Sequence, residues 1–229
     1  MDILEIFLES VKLIIKIDYL LFEIILLSLK VSFSALLISS FFSLILGYFL
    51  ALHYFVFKKE IIIFFNSLMG IPPVVVGLIV YFLFARNGPL GVFQLLYTPS
   101  AMIIAQIILI FPIVFSLSHE LFSQNWNHFK DHFRAYNMPF FGIMIILFRH
   151  SYYLLITILL SGFGRAISEV GAVMIVGGNI DHYTRVMTTA ITLETRIGNL
   201  EYATALGIVL ISITIIINLI LYLFNFKKI

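Results

Sequence analysis

Long stretches without a single charged residue recur along this chain, and they limit what it can fold into. Residues 31–52 and 202–226 are two of them. A helix that crosses a bilayer needs about 20 mainly apolar residues, and these stretches meet that length. Their Leu, Ile and Phe do not alternate with polar residues as the strands of a membrane barrel would. With 62% hydrophobic residues, 11% charged residues and a mean hydropathy of +1.10, the chain is predicted to be an all-α, polytopic membrane protein of one domain, residues 1–229.

The apolar stretches predict about five membrane crossings. These are residues 31–52, 61–85, 101–118, 152–176 and 202–226. The first 17 residues carry charges at spacings of three and four, at Asp2, Glu5, Glu9, Lys12 and Lys16. This spacing predicts an amphipathic helix over residues 1–17 that lies in the membrane interface, with a solvated extension of the next helix as the alternative.

Charge also predicts the orientation. Lys58 and Lys59, the polar segment 119–150, and Lys227 and Lys228 all fall on one side of a protein with five crossings. Positive residues in short loops mark the cytoplasmic side. The N-terminus is therefore predicted outside and the C-terminus inside, with a second polar segment, 177–201, outside.

Two proline-containing motifs predict breaks in the helices. Pro72 and Pro73 follow Gly70 within the second crossing, and adjacent prolines remove two backbone donors. The helix should break or kink there, either as a tolerated kink or as part of the pathway. A second break is predicted at residues 137–139, Asn-Met-Pro, within the cytoplasmic segment.

The fourth crossing contains the only ionisable pair inside a predicted span. Arg165 and Glu169 are four residues apart, so on a helix they share a face and can pair. Ionisable residues at membrane depth usually have a function, so a pathway or gate role stands against a structural clamp between helices. Gly171, Gly177 and Gly178 follow, and they would permit close helix contact or a backbone break.

Other functions lack the residues that they need. The chain has no cysteine, its basic residues are scattered, and no phosphate-binding glycine loop occurs. We therefore expect no nucleic-acid partner, no cofactor and no nucleotide hydrolysis by the chain itself. His128 and His132 are four apart, but no third ligand has suitable spacing, so no metal site is predicted.

Three sequence blocks resemble the permeases of ABC importers. Residues 131–149, DHFRAYNMPFFGIMIILFR, are similar to the cytoplasmic coupling segment of these permeases, whose pattern is Glu-Ala-Ala, three residues, then Gly. In this resemblance Asp131 stands where the glutamate is expected, Ala135 lies among the three intervening residues, Asn137 takes the place of the glycine and Met138 that of a small residue. Asn137 can still make the turn, because asparagine tolerates the left-handed conformation.

The other two blocks point to one branch of that family. Residues 70–91, GIPPVVVGLIVYFLFARNGPLG, resemble elements of the molybdate, tungstate and sulfate permeases. The third block is residues 162–180, GFGRAISEVGAVMIVGGNI, followed by 184–207, TRVMTTAITLETRIGNLEYATALG, and it closely resembles the tungstate type.

The resemblance implies a transport subunit rather than an enzyme. It implies a homodimer in a bacterial or archaeal cytoplasmic membrane, with cytoplasmic ATPase subunits and an external oxyanion-binding protein as partners. It further implies that residues 131–138 couple the permease to the ATPase. From depth and spacing we expect Arg165 to line or gate the pathway with Glu169 holding it, together with the neighbouring glycines and with Pro72 and Pro73. Tungstate is the expected substrate, with molybdate or sulfate as alternatives. A secondary transporter driven by an ion gradient, and a channel, are the competing classes.

Overall fold

The computed structural model describes residues 3–16 and 18–226, and this part of the chain is helical throughout. It contains ten α-helices, one 3-10 turn at Gly91–Phe93 and no strand. The helices are α1 (Ile3–Ile15), α2 (Tyr19–Leu52), α3 (Lys58–Leu68), α4 (Pro73–Phe84), α5 (Pro99–Ala135), α6 (Phe140–His150), α7 (Tyr152–Ile167), α8 (Gly171–Gly177), α9 (Met187–Ile197) and α10 (Leu200–Phe226). Asp2, Lys227 and Lys228, which entered the sequence argument, lie outside the described residues.

The predicted polytopic membrane protein is confirmed. Three described helices, α2, α5 and α10, are long and apolar enough to cross a bilayer. The pairs α3–α4 and α6–α7 reach that length together, so up to five crossings are present if each bent pair counts as one. Large apolar side chains such as Phe41, Phe82 and Ile215 are about 60% exposed. Apolar exposure on this scale fits a lipid-facing surface.

The break predicted in the second crossing is confirmed, and it is sharper than a kink. The chain bends by 104° between α3 and α4. Pro72 precedes α4 in an extended conformation, with φ −63° and ψ 127°, and Pro73 is the first helical residue. A proline is favoured at that position because its missing N–H would have no helical partner.

The predicted fourth crossing, residues 152–176, is divided between two helices. Helix α7 ends at Ile167, and α8 begins at Gly171 after a short non-helical junction. The Glu169 carboxylate accepts a hydrogen bond from the Ala172 N–H, so it caps α8 instead of extending α7. Its own carbonyl accepts from the Thr188 hydroxyl, at 2.7 Å.

The predicted polar segments are more ordered than loops. Helix α5 continues without a break from the third crossing to Ala135, so only the second half of segment 119–150 is separate, as α6. At 37 residues, α5 is about 55 Å long and extends well beyond a bilayer core. Segment 177–201 contains α9, whose Met187, Thr189 and Ala190 are fully buried.

The centre of the fold is the packing of α2 against α5. The buried face of α2 carries mostly small residues, Ser28, Ser32, Ala35, Ser39, Ser43 and Gly47. Small residues let two helices approach closely. A Cβ atom at Gly47 would lie 2.7 Å from Ser118 Oγ and 3.1 Å from the His119 backbone nitrogen. The remaining helices pack around this pair in two apolar clusters, one of them around α4 and α8.

Helix α1 lies along α10. The Ser10 hydroxyl donates to the Glu201 carbonyl at 2.8 Å, and Lys12 pairs with Glu9. Leu4 and Leu8 on the outer side of α1 are more than half exposed. The amphipathic helix predicted for residues 1–17 is thus present as α1, and its place in the membrane interface stays a prediction.

Candidate functional site

Glu169 is the buried charge around which the junction between α7 and α8 is arranged. Its side chain is 3% exposed, and Oε2 lies 2.7 Å from Arg165 Nη1. Its other oxygen, Oε1, accepts from the Ala172 N–H at 3.0 Å. A buried carboxylate needs such partners, because an unpaired charge in a low-dielectric interior is costly. The ion pair predicted from the spacing of four residues is therefore present, and Glu169 also serves as a helix cap.

Arg165 belongs to a polar strip on the accessible face of α7. Its side chain is 32% exposed. Thr157, Ser161 and Ser168 recur on the same face, and the last two are exposed. Each hydroxyl donates to the backbone carbonyl four residues earlier, so the strip satisfies its own donors inside a membrane helix. From Thr157 to Ser168 it runs about 16 Å. The spacing of these hydroxyls in the sequence was the signal for this strip.

The broken second crossing meets the same junction. A Cβ atom at Gly171 would lie 2.8 Å from Val74 Cγ2 and 3.7 Å from Glu169 Oε1. One turn further along α4, a Cβ atom at Gly77 would lie 2.8 Å from the Ala172 Cα. The structure thus packs the start of α4, directly after Pro72 and Pro73, against Gly171 beside the ion pair, with α4 and α8 in close contact from their first turns.

Gly177 and Gly178 lie at the far end of α8, away from the ion pair. A Cβ atom at Gly177 would lie 2.9 Å from Met102 Sδ, and Gly178 has φ +70° with the Tyr97 ring against it. The Tyr97 N–H donates to the Val176 carbonyl at 2.8 Å. These glycines connect α8 to the loop between α4 and α5, at a distance of about 10 Å from its first residue.

The loop after α8 is tied to the start of α2 by charged groups. His182 Nδ1 lies 2.8 Å from Glu23 Oε2, and Arg185 pairs with Asp181 at 2.8 Å. The hydrogen bond to Glu23, and then the negative charges of Glu23 and Asp181, raise the pKa of His182 above its ordinary value.

Two buried polar side chains on α5 and α2, which were not predicted from the sequence, hold the junction on its buried side. Gln106 Nε2 donates to the Ala166 carbonyl at 3.0 Å, and Ser28 Oγ accepts from the Met187 N–H at 2.7 Å. Gln106 is the one amide side chain in residues 101–118. A lone glutamine within an apolar run was the signal for its role.

The second group of predicted site residues forms a corner at the opposite end of the molecule. Helix α5 ends at Ala135, Asn137 adopts φ +48°, and α6 begins at Phe140. The break and the left-handed turn at Asn137 are confirmed. Asp131, Ala135 and Asn137 are exposed, whereas Met138 is half-buried.

A cavity of about 410 Å³ opens beside this corner. Its lining comes from the end of α5, the turn and α6: Trp126, Phe133, Arg134, Asn137, Met138 and Ile143. Tyr136 and Phe141 next to it are 79% and 69% exposed. Aromatic side chains exposed around a concave surface are typical of a protein interface.

The second crossing, broken between α3 and α4, therefore meets the α7–α8 junction beside a buried ion pair, and the α5–α6 corner lies at the other end; the protein is a multi-pass helical membrane protein. The chain matches the family described as "binding-protein-dependent transport system inner membrane component" over residues 43–228, and it belongs to that family.

Three relatives support the assignment along most of the chain. The tungstate uptake system permease protein TupB of Peptoclostridium acidaminophilum is 40% identical over 216 residues, which are 94% of this chain and 95% of that protein. TupB of Campylobacter jejuni is 39% identical over 169 residues, 72% of this chain and 70% of that protein. A probable anion ABC transporter permease of Haloferax volcanii is 44% identical over 155 residues, 66% of this chain and 67% of that protein.

Proposed function

We propose that this chain is the membrane-spanning permease of an ATP-driven importer for tungstate. The observation that carries the choice of anion is the 40% identity to a tungstate permease over 94% of the chain. Uptake of labelled tungstate by vesicles that contain the full importer tests it, with molybdate and sulfate as competitors. Tungstate uptake that molybdate or sulfate suppresses at equal concentration would show that the anion assignment is wrong.

The division of labour with partners follows from the family. ATP hydrolysis is assigned to a cytoplasmic ABC ATPase, since this chain has no phosphate-binding glycine loop. An external oxyanion-binding protein delivers the substrate, and two copies of the permease enclose the pathway. Uptake that requires ATP and is insensitive to ion gradients separates this proposal from a secondary transporter.

We place the α5–α6 corner in the cytoplasm and the loop that contains His182 outside. Lys58, Lys59, Lys130, Arg134 and Arg149 all lie at the end of the molecule that carries the corner. Positive residues favour the cytoplasmic side. The chain has no cysteine, so single cysteines can report the orientation. Val92→Cys should react with an impermeant thiol reagent from outside, and Tyr136→Cys should react only after the membrane is opened.

In this orientation the ion pair lies near the outer boundary of the hydrocarbon core. Ser32 lines the same small cavity as Glu169, so the two residues lie at one level. From Ser32 to the end of α2 at Leu52 is about 30 Å, which is the thickness of the core. A pair at that boundary is suited to an outer gate.

We assign the polar strip of α7 to the wall of the pathway, with Arg165 as its cation. An anion that crosses the membrane needs donors that bind it weakly enough to release it. Arg165 meets this need because it is partly exposed and Glu169 already neutralises it in part. Arg165→Ala should abolish most tungstate uptake while Arg196→Ala, at an exposed site in the last turn of α9, leaves it unchanged. Full uptake by the Arg165 variant would remove this residue from the pathway.

The α5–α6 corner is assigned to the contact with the ATPase. Its exposed aromatic side chains and the cavity beside Trp126 supply an apolar surface, and Arg134 supplies positive charge at its edge. Charge reversal at Asp131 should leave ATPase activity in the complex but reduce its coupling to uptake. Cross-linking of Tyr136→Cys to the ATPase would exclude a channel, which needs no such contact.

A further inference from the structure

A small cavity lined by buried residues lies behind the ion pair, where four parts of the chain meet. Its volume is about 10 Å³. The walls come from α2, α5, the junction after α7 and the start of α9: Ser28, Ser32, Gln106, Ala166, Ile167, Glu169, Val186 and Thr188. Five of these eight side chains are polar, although all eight residues are buried.

One wall atom lacks a partner within the described residues. Gln106 is 3% exposed, and its Nε2 donates to the Ala166 carbonyl. Its Oε1 is fully buried and accepts no hydrogen bond from any described group. A buried acceptor of this kind is destabilising unless a donor reaches it.

Two neighbouring hydroxyls already donate elsewhere and so cannot donate to Gln106 Oε1. Ser28 Oγ already donates to the Ile24 carbonyl and accepts from the Met187 N–H. Thr188 Oγ1 donates to the Glu169 carbonyl. Ser32, which is 2% exposed, lines the same cavity as Gln106.

We propose that this cavity is a binding site for a single buried water molecule. About 10–15 Å³ suffices for one water, and a buried water usually makes about three hydrogen bonds to polar groups. A tetrahedral oxyanion is far too large for this space. The water donates to Gln106 Oε1, accepts from the Ser32 hydroxyl and directs its second proton to the wall formed by Glu169 and Thr188.

The water links Gln106 Oε1 and the Ser32 hydroxyl, which make no direct hydrogen bond to the α7–α8 junction. It joins α2 and α5 to the non-helical junction that carries Glu169, and it completes the hydrogen bonding of Gln106. The bound water stabilises the position of the junction, and this role does not depend on which anion is transported.

A matched pair of substitutions on one helix tests the proposal. Ser32 and Ser39 are both buried on the same face of α2, and Ser39 Oγ has no hydrogen-bond partner in the described part of the chain. Only Ser32 lines the cavity. Ser32→Ala should lower the melting temperature because it removes a water ligand, whereas Ser39→Ala should leave it unchanged or raise it. Equal melting temperatures for the two variants would overturn the proposal.

A density map that resolves ordered waters gives the direct measurement. The wild-type protein should have a peak within hydrogen-bond distance of Gln106 Oε1, and the Ser32→Ala variant should have a weaker peak or none. A wild-type map without that peak, with the Gln106 side chain well resolved, also overturns the proposal. Tungstate uptake plays no part in either measurement, so the outcome is independent of the proposed transport function.

Discussion

Replacement of Glu169 by glutamine isolates the charge of the buried pair from its shape. The glutamine side chain has almost the same volume, and its amide oxygen can still accept from the Ala172 N–H. Its NH₂ group would then face Arg165 Nη1, which lies 2.7 Å from the present oxygen. Two donors would meet at hydrogen-bond distance, so one of the two side chains must turn away.

The expected cost follows from the exposure of each partner. Removal of one member of a fully buried pair costs about 3–5 kcal/mol, and loss of a hydrogen bond to a charged group costs about 1.5–3 kcal/mol. Arg165 keeps 32% exposure and can regain water, so the lower range applies. We expect a loss of about 2 kcal/mol, which for a chain of this length lowers the melting temperature by about 4–8 °C.

The assay is thermal unfolding of the purified protein in detergent, followed by the fluorescence of Trp126, the single tryptophan. Glu194→Gln is the matched control. Glu194 is also buried, at 7% exposure, but its carboxylate accepts from the neutral Asn199 amide at 2.9 Å. Because glutamine can keep a hydrogen bond to a neutral donor, this variant should lose less than half as much stability.

A double-mutant cycle decides whether the cost belongs to the pair. Arg165→Gln combined with Glu169→Gln should be less destabilising than the sum of the two single changes. Additive effects, or a melting temperature of Glu169→Gln within about 1 °C of wild type, would refute the reasoning.

Three further predictions concern backbone space and pH. Gly77→Ala should destabilise the protein by about 1–3 kcal/mol in thermal unfolding, because its Cβ would lie 2.8 Å from backbone in α8, whereas Gly207→Ala, with open space around it, should be neutral or stabilising. Asn137→Ala should lose about 1 kcal/mol against Asn137→Gly, because φ is +48° there; equal melting of these two variants would contradict the strained turn. The raised pKa of His182 means that its bond to Glu23 stabilises the loop fully below about pH 6.5 and is lost as pH rises through the raised value. The melting temperature of wild type minus that of His182→Gln should therefore shrink as the pH rises above about 6.5, and a constant difference would contradict this pH dependence.

The sequence by itself determined that this protein lies in a lipid bilayer and that it is a polytopic helical membrane protein. Charge-free runs of about 20 residues have one stable environment, a bilayer, and a spacing of four on a helix brings Arg165 and Glu169 together. Pro72 and Pro73 removed backbone donors at a fixed place, and Asn137 marked a turn that few residues can make. These features depend on residues close together in the sequence, so they can be recognised without the tertiary structure.

Only the tertiary structure decided how the fourth crossing ends. In residues 152–176 the apolar pattern continues past Glu169. The helix nevertheless stops at Ile167, because the Glu169 carboxylate and carbonyl bond to Ala172 and Thr188 instead of continuing α7. Thr188 reaches Glu169 from the next element of the fold, and Gln106 reaches Ala166 from 60 positions earlier. Hydrogen bonds between such distant residues leave no periodic pattern in the sequence, and they are what holds the candidate gate in place.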